Sequence, residues 1–135
     1  RDQPRSRGLV DVYKRQGQRQ RAYIAMTIAQ NTEYILLDEP LNNLDMKHSV
    51  QIMQTLRTLA QQLDKTIVIV LHDINFASCY SDHIIALKHG ELVRAGKNED
   101  VLQTEVLREL YEMDVKVEWV NGQRICLYYD EQILS

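Results

Sequence analysis

The sequence predicts an α/β fold whose core strands are parallel and whose C-terminal part forms β-hairpins. Two apolar runs, residues 34–37 and 66–71, have the length of strands that are buried on both faces, and the second is rich in β-branched residues. Between them, residues 46–63 repeat apolar side chains at helical spacing. Towards the C-terminus, Asn121-Gly122 is the strongest short hairpin signal in the chain.

Weaker signals predict the remaining elements. His89-Gly90 separates two apolar runs and indicates a second hairpin. Asn98 is predicted to cap a short helix that runs to Gln103, and Thr104 to cap the next one. In chain order the prediction is a tail to Gln16, helix 18–30, strand 34–38, helix 46–63, strand 66–71, helix 74–80, strands 83–88 and 91–95, two short helices, and strands 115–120 and 124–129.

Two adjacent carboxylates mark the end of the first predicted strand. Asp38 and Glu39 follow the apolar run directly and precede Pro40. Open α/β sheets bind their ligands at the carboxyl ends of their strands, and charge placed there is costly unless it is paired or bound to a metal. A phosphate-bound Mg²⁺ would supply that compensation, and the glutamate could polarise an attacking water. The pattern therefore favours a nucleotide site, and the alternative is a surface turn that carries two acids.

His72 ends the second apolar run in the same way. A strand–helix–strand crossover places both strand ends on one edge of the sheet, so His72 and Glu39 are expected to lie close together. A lone histidine is more often a packing residue than a catalytic one. The position of His72 beside a strand end that carries acids favours a role in the site.

Four short motifs, found in the correct order, resemble those of ATP-binding-cassette (ABC) ATPases. Residues 36–40 (LLDEP) resemble the Walker B motif with its catalytic glutamate. Residues 42–45 (NNLD) resemble the D-loop, and residues 71–73 (LHD) resemble the H-loop. Residues 17–21 (GQRQR), which precede an alanine-containing helix, resemble the end of the ABC signature motif.

The amino-acid sequence of longer stretches narrows the resemblance to one group of ABC ATPases. Residues 40–45, 71–96 and 111–129 are similar to ATPase subunits of bacterial iron–siderophore importers, so the resemblance covers roughly residues 17–129. It implies a partial P-loop NTPase fold of the ABC ATPase type, in which residues 17–135 are the C-terminal part of a nucleotide-binding domain. Its parallel core strands come first and its β-hairpins last.

The phosphate-binding motif of this fold does not occur in the sequence. No G-x-x-x-x-G-K-[ST] is present, so no loop of this kind is available to hold the β-phosphate. In the family, the H-loop strand lies between the Walker B strand and the Walker A strand. Residues 66–71 are therefore expected to pair with residues 34–38 and to lack their other neighbour. An uncovered strand edge of this kind favours aggregation.

The resemblance implies catalytic roles for three residues, with ATP as substrate and Mg²⁺ as cofactor. Asp38 would hold Mg²⁺ through its water shell. Glu39 would act as general base or orient the attacking water. His72 would bind the γ-phosphate and stabilise charge in the transition state.

Three further residues are implied in contacts across a dimer of two nucleotide-binding domains. Gly17 and Gln18 would contact ATP bound to the other subunit, and the alternative is that they only initiate the helix. Asp45 would help to shape the opposite site. It is also a natural N-cap for the helix after it, and the two roles do not exclude each other. The other histidines, His48, His83 and His89, are assigned no role.

Residues 1–16 do not match the family. Lys14-Arg15-Gln16 stands where the family has Leu-Ser-Gly, so the serine expected to contact the γ-phosphate across the dimer is missing. Residues 10–16 (VDVYKRQ) resemble translated library-adapter sequence. Residues 1–16 are therefore interpreted as a non-native or disordered segment, and the alternative is a basic arm that binds nucleic acid.

Composition limits the remaining choices. A net charge of −3 gives no broad basic field, so no nucleic-acid partner is expected. No apolar run approaches the roughly 18 residues that span a membrane. The two cysteines, Cys79 and Cys126, lack metal-ligand or CxxC spacing and are predicted to be core residues in a cytosolic protein.

The resemblance implies an assembly on the inner face of the cell membrane. Its partners would be the membrane permease subunits, a second nucleotide-binding domain in a homodimer and, indirectly, a periplasmic or lipoprotein siderophore-binding protein. ATP hydrolysis would belong to the parent protein, with the fragment itself inactive. Two alternatives stay open, a soluble ABC ATPase that acts on ribosomes or DNA, and a non-catalytic remnant that only binds partners.

Overall fold

The computed structural model describes residues 4–129, with the backbone alone for residues 4–14 and for Gln16. The chain divides after His72 into two compact units. In the first unit, β1 and β2 pair in parallel, from Tyr34 opposite Thr66 to Asp38 opposite Val70. The predicted strand–helix–strand arrangement is thus confirmed. The elements of this unit are α1 (Pro4–Ala29), β1 (Tyr34–Asp38), α2 (Met46–Leu63) and β2 (Thr66–Val70).

Helix α1 is longer than predicted. It begins at Pro4 instead of near Gln18, and proline suits the first position of a helix because its φ is fixed and its missing N–H would have no partner there. Residues 4–16, predicted as a tail, are helical in backbone, whereas residues 1–3 and 130–135 lie outside the described residues. Neither α1 nor any other helix that the structure describes has the length and apolar character needed to cross a bilayer.

Helix α2 has a defined cap at each end. The Asp45 carboxylate accepts a hydrogen bond from the His48 backbone N–H at 2.8 Å, which confirms Asp45 as the N-cap. Asp64 closes the helix in the left-handed conformation, with a φ of 51°. Of the apolar side chains in this helix, Ile52, Met53 and Leu56 are buried, and so is Ser49.

The β1–β2 sheet is buried on one face only, so the prediction that both strands are buried on both faces is wrong for the described chain. Ile35 and Leu37 are almost fully buried, whereas Leu36 is 70 % exposed. On β2, Val68 and Val70 are exposed as well. Helix α1 contacts β1 and α2 contacts β2. Residues 4–72 contain no other helix or strand to cover the second face, and β2 pairs with β1 alone, as expected.

The second unit contains two antiparallel hairpins, as predicted. The turn residues His89-Gly90 and Asn121-Gly122 all have positive φ, which a two-residue type I′ turn requires. Two clusters of buried residues form its interior: Leu102, Leu107, Val115 and Cys126, and Ala86, Val101 and Val106. Its elements are α3 (Ile74–Tyr80), β3 (His83–Lys88), β4 (Glu91–Lys97), α4 (Asn98–Val101), α5 (Thr104–Tyr111), β5 (Lys116–Val120) and β6 (Gln123–Leu127).

Side chains of α3 hold β6 in the way that a neighbouring strand would. The Asn75 amide donates to the Cys126 carbonyl at 3.2 Å, and its oxygen accepts from the Cys126 N–H at 2.7 Å. The Ser78 hydroxyl donates to the Arg124 carbonyl at 2.6 Å. These bonds satisfy backbone groups along a strand edge that faces a helix, since buried backbone groups need partners.

Two predicted helix caps are wrong. Asn98 and Thr104 are the first residues of α4 and α5, and the N-cap positions are Lys97 and Gln103, which form no side-chain cap hydrogen bond. The Asn98 amide donates instead to the Ser78 carbonyl at 2.8 Å. A tertiary partner has therefore taken the side chain that local sequence assigns to the helix.

Candidate functional site

The ends of β1 and β2 bring Glu39 and His72 together. Asp38 lies opposite Val70, so β1 and β2 end at the same edge of the sheet. There the His72 Nε2 atom is in hydrogen-bonding contact with a Glu39 carboxylate oxygen, 33 positions earlier in sequence. The expected meeting of these side chains is confirmed. In the tautomer that carries its hydrogen on Nε2, the imidazole donates to the carboxylate.

The backbone of Glu39 is left-handed, with a φ of 50°. For a residue other than glycine this conformation costs roughly 1–2 kcal/mol. A turn follows directly, in which the Asn42 N–H donates to the Glu39 carbonyl at 3.1 Å, and Pro40 is buried. The chain therefore turns sharply at Glu39, and 37 % of its side chain stays exposed at the edge of the sheet, where a ligand can reach it.

Asp38 is the last residue of β1 and is exposed. Its carboxylate forms no hydrogen bond or ion pair with any other residue that the structure describes. Mg²⁺ is usually held by one or two carboxylates together with substrate phosphates and water, and a single open carboxylate at a strand end suits that pattern. Within residues 4–129 no cluster of three or more His, Cys, Asp or Glu side chains could hold a metal by itself.

Gly17 and Asp45 are connected through His48, a residue to which the sequence assigned no role. Gly17 is buried, and a Cβ atom added to it would lie 2.9 Å from His48 Cδ2. On its other side, the imidazole Nδ1 lies 2.6 Å from an Asp45 carboxylate oxygen. The signal for this pair was present in the sequence, since a histidine three residues after an N-cap aspartate is within its reach.

The same contacts lower the pKa of Asp45 below its ordinary value. The backbone N–H of His48 is the largest cause, and the hydrogen bond from the His48 side chain comes next. Gln18, next to Gly17 in α1, is exposed. The structure thus places Glu39 with His72, and Gly17 with Asp45, while Asp38 and Gln18 remain open to solvent.

No protein-family model matches the chain, but individual known proteins are similar to it. The petrobactin import ATP-binding protein YclP of Bacillus subtilis (strain 168) is 59 % identical over 113 residues, which are 84 % of this chain and 45 % of the relative. The chain therefore spans less than half the length of this relative.

Two solved structures are similar. One, an inward-facing conformation of a metal-chelate type ABC transporter, is 27 % identical with a TM-score of 0.72, over 84 % of this chain and 47 % of the other. The second is a dimeric, post-hydrolysis ATP-binding cassette, MJ0796, bound to ADP and Pi. It is 45 % identical with a TM-score of 0.54, over 61 % of this chain and 35 % of the other. The chain has part of the α/β fold of the ATP-binding-cassette family, and it belongs to that family.

Proposed function

We propose that the chain is the Walker B and H-loop part of an ATP-hydrolysing subunit that drives import of iron–siderophore complexes. The contact between Glu39 and His72 at the ends of two parallel strands carries this proposal, because it joins an acid and an imidazole at the edge where the fold binds ligands. The identity of 59 % to a petrobactin import ATP-binding protein supports the transport role.

Three side chains would share the work at the bound ATP. Asp38 would hold Mg²⁺, which neutralises phosphate charge when it is bound. Glu39 would orient the attacking water and accept its proton. His72 is 78 % exposed on its side chain, so its hydrogen bond to Glu39 can be exchanged for one to a phosphate oxygen, where it would stabilise developing negative charge.

A second copy of the nucleotide-binding domain would complete each site. Gly17, Gln18 and Asp45 would face ATP held by that copy, and the connection of Gly17 to Asp45 through His48 supports treating them as one surface. The homodimer would act on permease subunits from the cytoplasmic face of the membrane. A siderophore-binding protein outside the cell membrane would deliver the substrate to those subunits.

The phosphate-binding loop would come from the rest of a longer protein. The chain contains no G-x-x-x-x-G-K-[ST], and YclP is more than twice as long as the segment that matches it. We therefore expect no ATP hydrolysis from the 135 residues alone. Residues 1–16 would be foreign to the natural protein, and sequencing the intact gene tests this, because a natural gene that encodes residues 10–16 contradicts it.

A graft tests the proposed function directly. The segment of this chain that matches YclP replaces its counterpart there, and ATP turnover and petrobactin-dependent iron uptake are measured in a Bacillus subtilis strain that lacks YclP. We expect both activities, and an inactive graft that folds and binds ATP would contradict the proposal. Glu39→Gln should reduce turnover by roughly 10²–10⁴-fold while ATP binding survives. Glu33 is an exposed acid just before β1, so Glu33→Gln is the matched control and should leave turnover unchanged.

A further inference from the structure

His48 occupies the space between two helices at the point where both carry residues of the proposed dimer surface. We propose that His48 is a positioning residue, whose imidazole is held by Asp45 and fixes how closely α2 approaches α1 at Gly17. The proposal rests on the proposed function for the roles of Gly17 and Asp45. The contacts themselves do not depend on it.

The first contact holds the imidazole in place. One carboxylate oxygen of Asp45 accepts from the His48 backbone N–H at 2.8 Å and lies 2.6 Å from the ring Nδ1. Only 22 % of the His48 side chain is exposed. Because the same oxygen binds both the backbone and the ring, the imidazole cannot turn away without losing a hydrogen bond to a charged group, which is among the stronger kinds.

The second contact explains why position 17 is a glycine. A Cβ atom there would lie 2.9 Å from His48 Cδ2 and 3.4 Å from His48 Cγ and Nε2, so the ring would have to move. Gly17 lies inside α1, where glycine is destabilising relative to alanine, and its φ is not among the positive values in the described chain. Close approach of the imidazole is therefore the reason for the glycine.

A third contact extends the row of contacts between one face of α1 and one face of α2. One turn further along, the Arg21 guanidinium donates to the Gln51 side-chain oxygen at 2.5 Å. Gly17 and Arg21 share one face of α1, and His48 and Gln51 share one face of α2, since residues three or four apart are neighbours on a helix. His48 stands at the end of this row that is nearest the D-loop residue Asp45. A shift of its ring therefore displaces Gly17 relative to Asp45.

The packing is tested by a double-substitution cycle in the full chain. We expect Gly17→Ala to lower the thermal midpoint when His48 is present and to raise it in a His48→Ala background, where alanine is simply the better helix former. A rise in both backgrounds would overturn the proposed contact. If the chain does not melt cooperatively, the NMR chemical shifts of the Gly17 α-protons replace the thermal midpoint as the measurement. The contribution of the His48 ring current to these shifts should disappear in His48→Leu.

The positioning role is tested by kinetics in the YclP graft. His48→Leu fills similar space without binding Asp45, and we expect kcat to fall by up to about 10²-fold, the effect of a displacement near 1 Å, with little change in the KM for ATP. His48→Asn keeps a donor for Asp45 and should restore most of kcat. His83→Leu, at an exposed strand histidine, should leave kcat unchanged.

The two proposals fail in different ways. If the unmodified graft is inactive, the proposed function fails while the double-substitution cycle still tests the contact. Suppose that the graft is active and that the His48→Leu variant, at temperatures where it is folded, has the same kcat as the unmodified graft. The positioning role is then overturned and the proposed function stands. Equal kcat for His48→Leu and His48→Asn would also overturn it, since a donor to Asp45 would then have no effect.

Discussion

The imidazole of His72 contacts the carboxylate of Glu39 because β1 and β2 pair in one particular register. Asp38 lies opposite Val70, and the two side chains emerge one and two residues beyond that pair. A slip of the register by one residue would exchange the faces of β2 and remove the contact. The geometry of the proposed site therefore depends more on the pairing of two distant strands than on either local motif.

Removing the His72 imidazole should slow ATP hydrolysis in the graft without weakening ATP binding. A group that stabilises charge developing in the transition state contributes to kcat, and losing one such donor costs roughly 10²–10³-fold. We expect His72→Ala to show this loss in steady-state kinetics, with a nearly unchanged KM. His83→Ala is the control for loss of an exposed histidine. An increase in KM with kcat preserved would show that His72 serves in ground-state binding alone.

The uncovered face of the β1–β2 sheet should limit the solubility of the chain. Leu36 is 70 % exposed, and the other edge of β2 has no neighbouring strand among the described residues. We expect the unmodified chain to be poorly soluble or partly molten, because exposed apolar patches and strand edges promote association. Leu36→Lys should raise the soluble fraction measured after centrifugation.

Leu37→Lys is the matched control for that substitution. Leu37 is the next residue along β1 but is only 1 % exposed, and burying such a side chain contributes about 1.5–3 kcal/mol. The control should therefore unfold the first unit and leave solubility no better. A monomer of the unmodified chain with a sharp, cooperative thermal transition would contradict the expectation for the sheet.

The cap of α2 should weaken in acid. The pKa of Asp45 is lowered below its ordinary value of 3.8, first by the hydrogen bond from the His48 backbone N–H. A carboxylate with a lowered folded-state pKa stabilises the fold above its ordinary pKa, and this contribution is lost as the pH falls through the lower folded-state value. Helix content followed by circular dichroism should therefore fall once the pH drops below the ordinary value of 3.8.

Asp45→Asn is the control for acid sensitivity. Asparagine also accepts the capping hydrogen bond but does not titrate, so the difference between the natural chain and this variant should shrink in the same pH range. A constant difference from neutral pH down to acid would show that the charge of Asp45 contributes nothing to the cap.

The two cysteines should differ in reactivity. Burial raises the pKa of Cys126 to about 11, with the nearby Cys79 and Asp73 adding to the effect. At pH 8 roughly one thousandth of this thiol would then be thiolate, which is the reactive form. Burial also raises the pKa of Cys79, but that side chain is only half-buried. Iodoacetamide should therefore label Cys79 first, as followed by peptide mass spectrometry, and equal labelling rates would contradict the burial of Cys126.

Alkaline pH should act through the same thiol. Because the folded-state pKa of Cys126 lies above the ordinary value of 9.0, folding is favoured while the thiol is protonated, and this contribution is lost as the pH rises from about 9 to about 11. The thermal midpoint of the second unit should fall in that range. Cys126→Ala should show a smaller fall, and an identical pH dependence would assign the effect to other groups.

The sequence predicts local elements well where one side chain decides the matter. The apolar run of β1 ended at a polar residue, Asp45 capped its helix, and Asn121-Gly122 formed its turn, as expected. The exposure of one face of β1 was not predictable in the same way. Apolar content shows which residues can be buried, whereas actual burial depends on which elements are present to cover them, and Leu36 has none within residues 4–72.

Tertiary contacts account for the other differences. Asn98 has the properties of a cap, yet carbonyl oxygens 17 and 20 positions earlier engage its amide. His48 lies far from Gly17 in sequence, so no local pattern indicates that its ring defines the space beside that glycine. Hydrogen bonds and close approaches between distant segments are set by the folded geometry, which a single sequence does not display.

The left-handed backbone at Glu39 constrains which replacements can be compared fairly. In a saturation library at this position of the YclP graft, glycine, asparagine and aspartate would be enriched by backbone preference alone, and isoleucine and valine depleted. This would happen without any selection for ATP hydrolysis. Sorting such a library once for expression and once for growth on petrobactin would separate the two pressures. Glutamate should rank only in the middle of the first sort and at the top of the second.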